Sequence, residues 1–187
     1  MVKISGIVGS VNEHSVSRKV LQKTEKYFSD EVTLEEIEYT QVPLFSVNNE
    51  YPAPDAVVKV REAIKESDGL IFIVPEYNLS FSGVLKNLID WISRPEIMGD
   101  PKPILDKPIL VISTSAGISG GMVAQEEVRS ILNYLGASLL SQPRVSFANV
   151  YSLLDERQHL TLDPASAGYL KDTVEAFEQF VNHFHTK

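Results

Sequence analysis

Cysteine is absent from the 187-residue sequence, which excludes disulfide bonds, thiolate nucleophiles and cysteine-ligated metals. Histidine is scarce: the four histidines show no metal-ligand spacing, so we expect no metal site. No apolar run approaches the roughly 18–20 residues that a helix needs to cross a bilayer. The chain also opens without a basic and then apolar leader. These absences favour a soluble, cytoplasmic protein that does not bind membranes.

Basic side chains are in the minority, with 17 Lys and Arg against 25 Asp and Glu and a net charge of −8. This balance argues against nucleic-acid partners and anionic membranes, since both attract a basic surface. It does not exclude a phosphate ligand, because backbone amides at a helix start can bind one locally. The length and the 43% hydrophobic content predict one domain over residues 1–187.

Strand and helix patterns alternate along the whole chain. The predicted strands are residues 2–8, 32–39, 69–74, 108–113 and 138–145. The predicted helices are about 15–29, 55–66, 82–93, 122–135 and 164–183. This alternation predicts an α/β fold, a flavodoxin-like three-layer sandwich with a five-stranded parallel sheet of order 2-1-3-4-5 and helices on both faces. In that order, the loops after the first and third strands lie in one crevice.

Three of the strand ends carry short polar residues and glycines. The loop after the first strand, residues 9–18, opens a helix whose free N–H groups and serines could hold a phosphate. The loop after the third strand, residues 75–83, suits a flat ligand with polar edges. The loop after the fourth strand, residues 113–121, lets backbone approach a ligand closely. Taken singly, each loop could also be an ordinary cap or turn.

Residues 75–91 resemble the flavin loop of the NADPH-dependent FMN reductase family, P-E-Y-N-x-S-x-P-G-x-L-K-N-x-I-D-W. Ser82 is the one departure and replaces the family's proline. The first loop resembles the family's G-S-x-R-x-x-S-x-N/S, with Asn12 in place of the arginine. The resemblance extends over residues 2–145.

The resemblance implies an FMN site built by the three loops. Around the phosphate it places Ser10, Asn12, Ser15, Val16 and Ser17. Along the isoalloxazine edge it places Pro75, Glu76, Tyr77, Asn78 and Ser80. Near the pyrimidine end it places Ser113, Thr114, Ser115, Gly117 and Gly120.

The function that the resemblance implies is an FMN-dependent NAD(P)H oxidoreductase. A hydride passes from NADPH or NADH to FMN, and a quinone, azo, chromate or flavin acceptor is then reduced in a ping-pong cycle. No catalytic side chain is expected, because the flavin carries the chemistry. The resemblance also implies a homodimer, or a homotetramer made of two dimers.

Two other functions stay open. One is a flavodoxin-like electron carrier or redox sensor that binds FMN without strong turnover. The other is a cofactor-free protein, because the neutral amide of Asn12 supplies neither the charge nor the fork of a guanidinium. Arg18 or His14 could compensate, although either could equally be a solvated helix residue. A Ser-His-Asp hydrolase is disfavoured, since no G-x-S-x-G motif is present.

Overall fold

The computed structural model of the protein describes residues 1–185, and within them it contains seven strands and five α-helices. The strands are β1 (Val2–Val8), β2 (Val32–Glu36), β3 (Gly69–Tyr77), β4 (Ser80–Phe81), β5 (Pro108–Thr114), β6 (Ser138–Leu139) and β7 (Val145–Phe147). The helices are α1 (Val16–Glu25), α2 (Asp55–Glu66), α3 (Gly83–Ile92), α4 (Met122–Tyr134) and α5 (Pro164–His185).

The sheet has the order β2-β1-β3-β5-β6, and its neighbours along this path pair in parallel. In register, Ile4 of β1 lies opposite Leu34 of β2 and Gly69 of β3. This arrangement confirms the predicted α/β class and the order 2-1-3-4-5. It also places the carboxyl ends of β1, β3 and β5 side by side.

The last predicted strand, residues 138–145, is wrong as one continuous strand. It is split into β6 and β7, which pair with opposite ends of β5: Ser138 lies opposite Pro108, and Val145 opposite Ile112. Pro143 stands in the interruption, and proline has no N–H to donate to a ladder. The sheet therefore has more strands than the five predicted.

A short hairpin adds the remaining strand. β3 runs beyond the predicted end at 74 as far as Tyr77, and β4 pairs antiparallel with it, Glu76 opposite Phe81. The connecting residues Asn78 and Leu79 have φ of 54° and 59°. Positive φ at both central positions is typical of the tight type I′ hairpin turn.

Helices cover both faces of the sheet because its central strands are apolar on both sides. On one face Phe72 packs with residues of α2, α3 and α4. On the other, Ile73 packs with residues of α1 and α5. The buried side chains of α5 repeat at helical spacing and are Leu170, Val174, Phe177 and Val181. The two faces form the three-layer sandwich.

Two element ends fall earlier than predicted. α1 ends at Glu25, not 29, because the next backbone bonds are of the tighter i→i−3 kind, from Tyr27 to Thr24 and from Phe28 to Glu25. β2 ends at Glu36, not 39.

The loop between β2 and α2 is held on α3 by Asn87 and Trp91. Asn87 Nδ2 and Trp91 Nε1 both donate to the carbonyl of Pro43, at 2.9 and 2.8 Å, and Asn87 Oδ1 accepts from the amide of Phe45 at 2.8 Å. The rings of Phe45 and Trp91 meet edge to face with centroids 5.0 Å apart. These residues of the family-like segment therefore anchor a loop away from the strand ends.

We expect Asn87→Ala to lower the free energy of unfolding by about 1–3 kcal/mol, because it leaves the amide of Phe45 without its acceptor and removes a donor to Pro43. Urea unfolding followed by circular dichroism measures this loss. The neighbouring Lys86→Ala is the control: it removes only the exposed ion pair with Asp90 and should change stability little. Equal effects of the two substitutions would contradict the anchoring role.

Candidate cofactor site

A cleft of about 190 Å³ lies where β1, β3 and β5 end. Its walls come from the three predicted loops and from the turn after β7. The lining residues are Ser10, Asn12, His14, Ser15, Val16, Ser17, Pro75, Glu76, Tyr77, Thr114, Ser115, Ala116, Val150 and Tyr151. A ligand in this cleft would contact all three strand ends at once.

The loop after β1 is a compact turn organised by Asn12. The carbonyl of Asn12 accepts from the amide of Ser15 at 3.0 Å, and its Oδ1 accepts from the amide of His14 at 3.0 Å. Behind the loop, the buried Tyr39 hydroxyl donates to the carbonyl of Val8. Burial raises the pKa of Tyr39 well above its usual value, so it stays a neutral donor. Hydrogen bonds within the protein therefore define the shape of this turn.

The start of α1 presents donors to the cleft. Ser15 caps the helix by accepting from the amide of Arg18 at 3.2 Å. The amides of Val16 and Ser17 come next, and neither finds an acceptor within residues 1–185. Ser17 Oγ lies 2.9 Å from Thr114 Oγ1, which joins this helix start to the end of β5. Free amides at a helix N-terminus fit the phosphate of a nucleotide cofactor.

Arg18 holds this loop from outside the cleft. Its guanidinium pairs with both oxygens of Glu36 on β2, with contacts of 2.7 and 2.9 Å, and donates to the carbonyls of Asn12 and Ser10. The hydrogen bond to Glu36 raises the pKa of Arg18. Arg18 is thus committed to protein acceptors.

The loops after β1 and β3 meet at Gly9. A Cβ on Gly9 would lie 2.7 Å from Pro75 Cδ and 3.2 Å from the carbonyl oxygen of Ile73, so only glycine fits without a shift. Ser82 Oγ donates to the carbonyl of Gly9 at 2.6 Å and accepts from the amide of Leu85 at 3.3 Å. Serine in place of the family's proline therefore caps α3 and ties the two loops together.

The loops after β3 and β5 meet at Glu76. Its carboxylate accepts from Ser119 Oγ at 2.7 Å, from Ser115 Oγ at 3.5 Å and from the amide of Ala124, in the first turn of α4, at 3.4 Å. A carboxylate near a helix N-terminus is favoured by the helix dipole. Glu76 therefore joins the hairpin to the glycine-containing loop while it lines the cleft.

Several predicted residues lie beside the cleft rather than on its wall. Asn78 borders an adjoining hollow that is also lined by Tyr77 and Phe81. Ser80 Oγ donates to Glu127 on α4 at 2.6 Å and so faces away from the cleft.

In the loop after β5, Thr114 and Ser115 line the cleft, whereas the other predicted residues shape the loop behind it. Ser113 Oγ donates to the carbonyl of Gly120 at 2.8 Å, and the carbonyl of Gly117 accepts from the amide of Asn149 at 3.0 Å. The cofactor role of each residue remains a prediction.

Val150 and Tyr151 are lining residues that the sequence patterns did not indicate. They follow β7, whose Phe147 lies opposite Thr114, and the amide of Val150 donates to the carbonyl of Ser115 at 3.0 Å. The split of the last strand brings this turn to the cleft edge. An aromatic residue just after a strand end was the only available signal.

Comparison with known proteins agrees with this geometry. A sequence profile of the NADPH-dependent FMN reductase family matches residues 2–152. An NAD(P)H-dependent FMN reductase from Pseudomonas aeruginosa is 32% identical over 183 residues, which cover 96% of this chain and 95% of that one. A quinone reductase from Escherichia coli K12 is 32% identical over 143 residues, 75% of this chain and 73% of that one.

Among solved structures, the fold matches FerB, a flavoenzyme NAD(P)H:(acceptor) oxidoreductase from Paracoccus denitrificans. The TM-score is 0.87 at 27% sequence identity, with 98% of each chain covered.

The fold and the cleft together define an oxidoreductase of the flavodoxin-like class, with FMN as cofactor and NAD(P)H as co-substrate. Given the profile and the relatives, the chain belongs to the NADPH-dependent FMN reductase family. The predicted family, enzyme class and cofactors are confirmed. None of the helices described is long and apolar enough to cross a membrane.

We expect Gly9→Ala to destabilise the fold by about 1–3 kcal/mol, because the added methyl group meets Pro75 and backbone rather than a flexible side chain. It should also weaken FMN binding, since it pushes apart the two loops that form the cleft. Thermal unfolding and FMN fluorescence titration measure the two effects. Gly168→Ala on α5 is the matched control, because nothing lies within 4 Å of an added Cβ there. Equal tolerance of both substitutions would contradict this account.

Proposed function

We propose that this protein is an FMN-dependent oxidoreductase that takes electrons from NAD(P)H and delivers them to a quinone, azo, chromate or free flavin acceptor in a ping-pong cycle. The observation that carries the proposal is the pair of unused amides, those of Val16 and Ser17, at the helix start in a cleft that joins three strand ends. Relatives named FMN reductase and quinone reductase support the same activity.

The residues divide by the part of the cofactor that they would hold. The hydroxyls of Ser10, Ser15 and Ser17 and the free amides suit the phosphate. The backbone and side chains of Pro75 to Tyr77, with Thr114 and Ser115, suit the polar edge of the ring. When bound, FMN supplies the redox centre that accepts a hydride and passes the electrons on.

The side chains at the cleft position ligands and carry no proton-transfer chemistry of their own in this proposal. Glu76 is the one carboxylate of the lining, and its oxygens already accept from Ser119 and from the amide of Ala124. Tyr77 and Tyr151 are 55% and 68% exposed and border the open side. Two flat substrates that use this open side in turn would follow a ping-pong order.

The first experiment is an anaerobic absorbance titration of the purified protein with FMN and then with NADPH. We expect flavin bands that bleach on addition of NADPH, because bound flavin is reduced. Steady-state rates with NADPH and a quinone both varied should then give parallel double-reciprocal lines. Intersecting lines would contradict the ping-pong order. Bound FMN without turnover would favour the carrier, and failure to bind FMN would favour the cofactor-free scaffold.

We also propose that the chain forms one FMN-binding domain and works in the cytoplasm. We further propose that the protein assembles as a homodimer or a homotetramer. Support for assembly comes from a hollow beside the hairpin, lined by Phe81 and Ile131 among others, with Leu79 and Tyr134 exposed at 67% and 84%. Exposed apolar groups of this kind mark contact surfaces.

Light scattering should therefore give twice the mass of the 20.8 kDa chain, or four times for a tetramer. Tyr134→Glu on α4 should shift the protein towards the monomer, because it places a charge at the proposed contact. Tyr169→Glu on α5, 48% exposed in the wild type, is the control and should leave the mass unchanged. A monomeric wild-type protein would contradict the proposal.

A further inference from the structure

Among residues 1–185, His14 is the only side chain lining the cleft that can become a cation. We propose that the His14 imidazolium supplies the positive charge that binds the phosphate of FMN in this protein. The proposal rests on the proposed function, since it concerns the same site. In the family's sequence pattern an arginine at position 12 would carry this charge. In the present proposal His14 carries it instead.

Asn12 cannot supply that charge, because its side-chain amide is neutral. Its carbonyl accepts from Ser15 and from Arg18, and its Oδ1 accepts from the amide of His14. Asn12 therefore builds the turn and sets His14 next to Ser15, the cap of α1.

Arg18 is not among the residues that line the cleft. Its Nε and both terminal nitrogens bond to Glu36 or to the carbonyls of Asn12 and Ser10. Release of Arg18 would leave Glu36 without its cation and the two carbonyls without their donor. The cost of breaking a bidentate charged contact keeps Arg18 in place.

The His14 ring has no hydrogen bond or ion pair to any of residues 1–185 and is exposed at the cleft. It is therefore available to a ligand.

Charged and titratable groups approach the site from several parts of the fold. Glu13 is adjacent in the loop, Glu36 on β2 is paired with Arg18, and Glu76 near the end of β3 is bonded to Ser119 and Ala124. Tyr77 and Tyr151 also line the cleft. In a chain of net charge −8, these carboxylates repel a phosphate, and an imidazolium offsets them.

An imidazolium N–H bound to a phosphate oxygen makes a charge-assisted hydrogen bond, which is about twice as strong as one between neutral groups. Riboflavin has no phosphate and cannot make this bond.

The test is the dissociation constant of FMN, measured by quenching of flavin fluorescence, for wild-type protein and His14→Gln. We expect the variant to bind FMN about fivefold more weakly than wild type. Riboflavin, which has the same ring without the phosphate, should bind both proteins alike.

His183→Gln is the matched control: it removes an exposed histidine on α5 that is outside the cleft, and should not change FMN affinity. Arg18→Gln separates the two cations. It should weaken the binding of FMN and of riboflavin alike, because it loosens the turn that shapes the cleft.

The proposal is overturned if wild-type protein binds FMN and His14→Gln binds it equally. It is also overturned if His14→Gln weakens the binding of FMN and of riboflavin alike, which indicates a purely structural role. A wild-type protein that binds neither flavin would overturn the proposed function itself, and this assignment with it.

Discussion

Parallel pairing of β1, β3 and β5 is the constraint on which the rest of the structure depends. Because these neighbouring strands run in one direction, their following loops leave the sheet at one edge and must share its space. The contacts between those loops then follow: Ser82 with the carbonyl of Gly9, Ser17 with Thr114, and Glu76 with Ser119. These contacts leave a gap between the loops, and that gap is the cleft.

Many polar groups at this edge of the sheet form hydrogen bonds with other parts of the protein. Arg18, Asn12 and Glu76 each make hydrogen bonds that hold the loops, while Asn87 and Trp91 hold the segment after β2. The donors left for a phosphate are mainly backbone amides and hydroxyls. The family-like segment, residues 75–91, therefore contains residues that shape the protein as well as residues that could contact FMN.

The strand order and most of the cleft wall could be predicted because they follow from local patterns, such as the apolar run that ends at Pro75. Features set by distant partners could not. The pairing of Arg18 with Glu36 joins positions whose relation appears only after β1 and β2 pair. The split of the last strand, which carries Val150 to the cleft, depends on how the chain around Pro143 passes the edge of β5. The positive φ of Leu79 could not be predicted from the sequence, because leucine rarely adopts a positive φ.

The conformation of Leu79 also makes the shape of the hairpin depend on its surroundings. A left-handed leucine costs about 1–2 kcal/mol, so the turn keeps its shape only while its surroundings hold it. The hold comes from α4, through Ser80 to Glu127 on one arm of the hairpin and through Glu76 to the amide of Ala124 on the other. The position of Tyr77 at the cleft edge is therefore set by α4. A substitution that shifts α4 should therefore also move Tyr77 at the edge of the cleft.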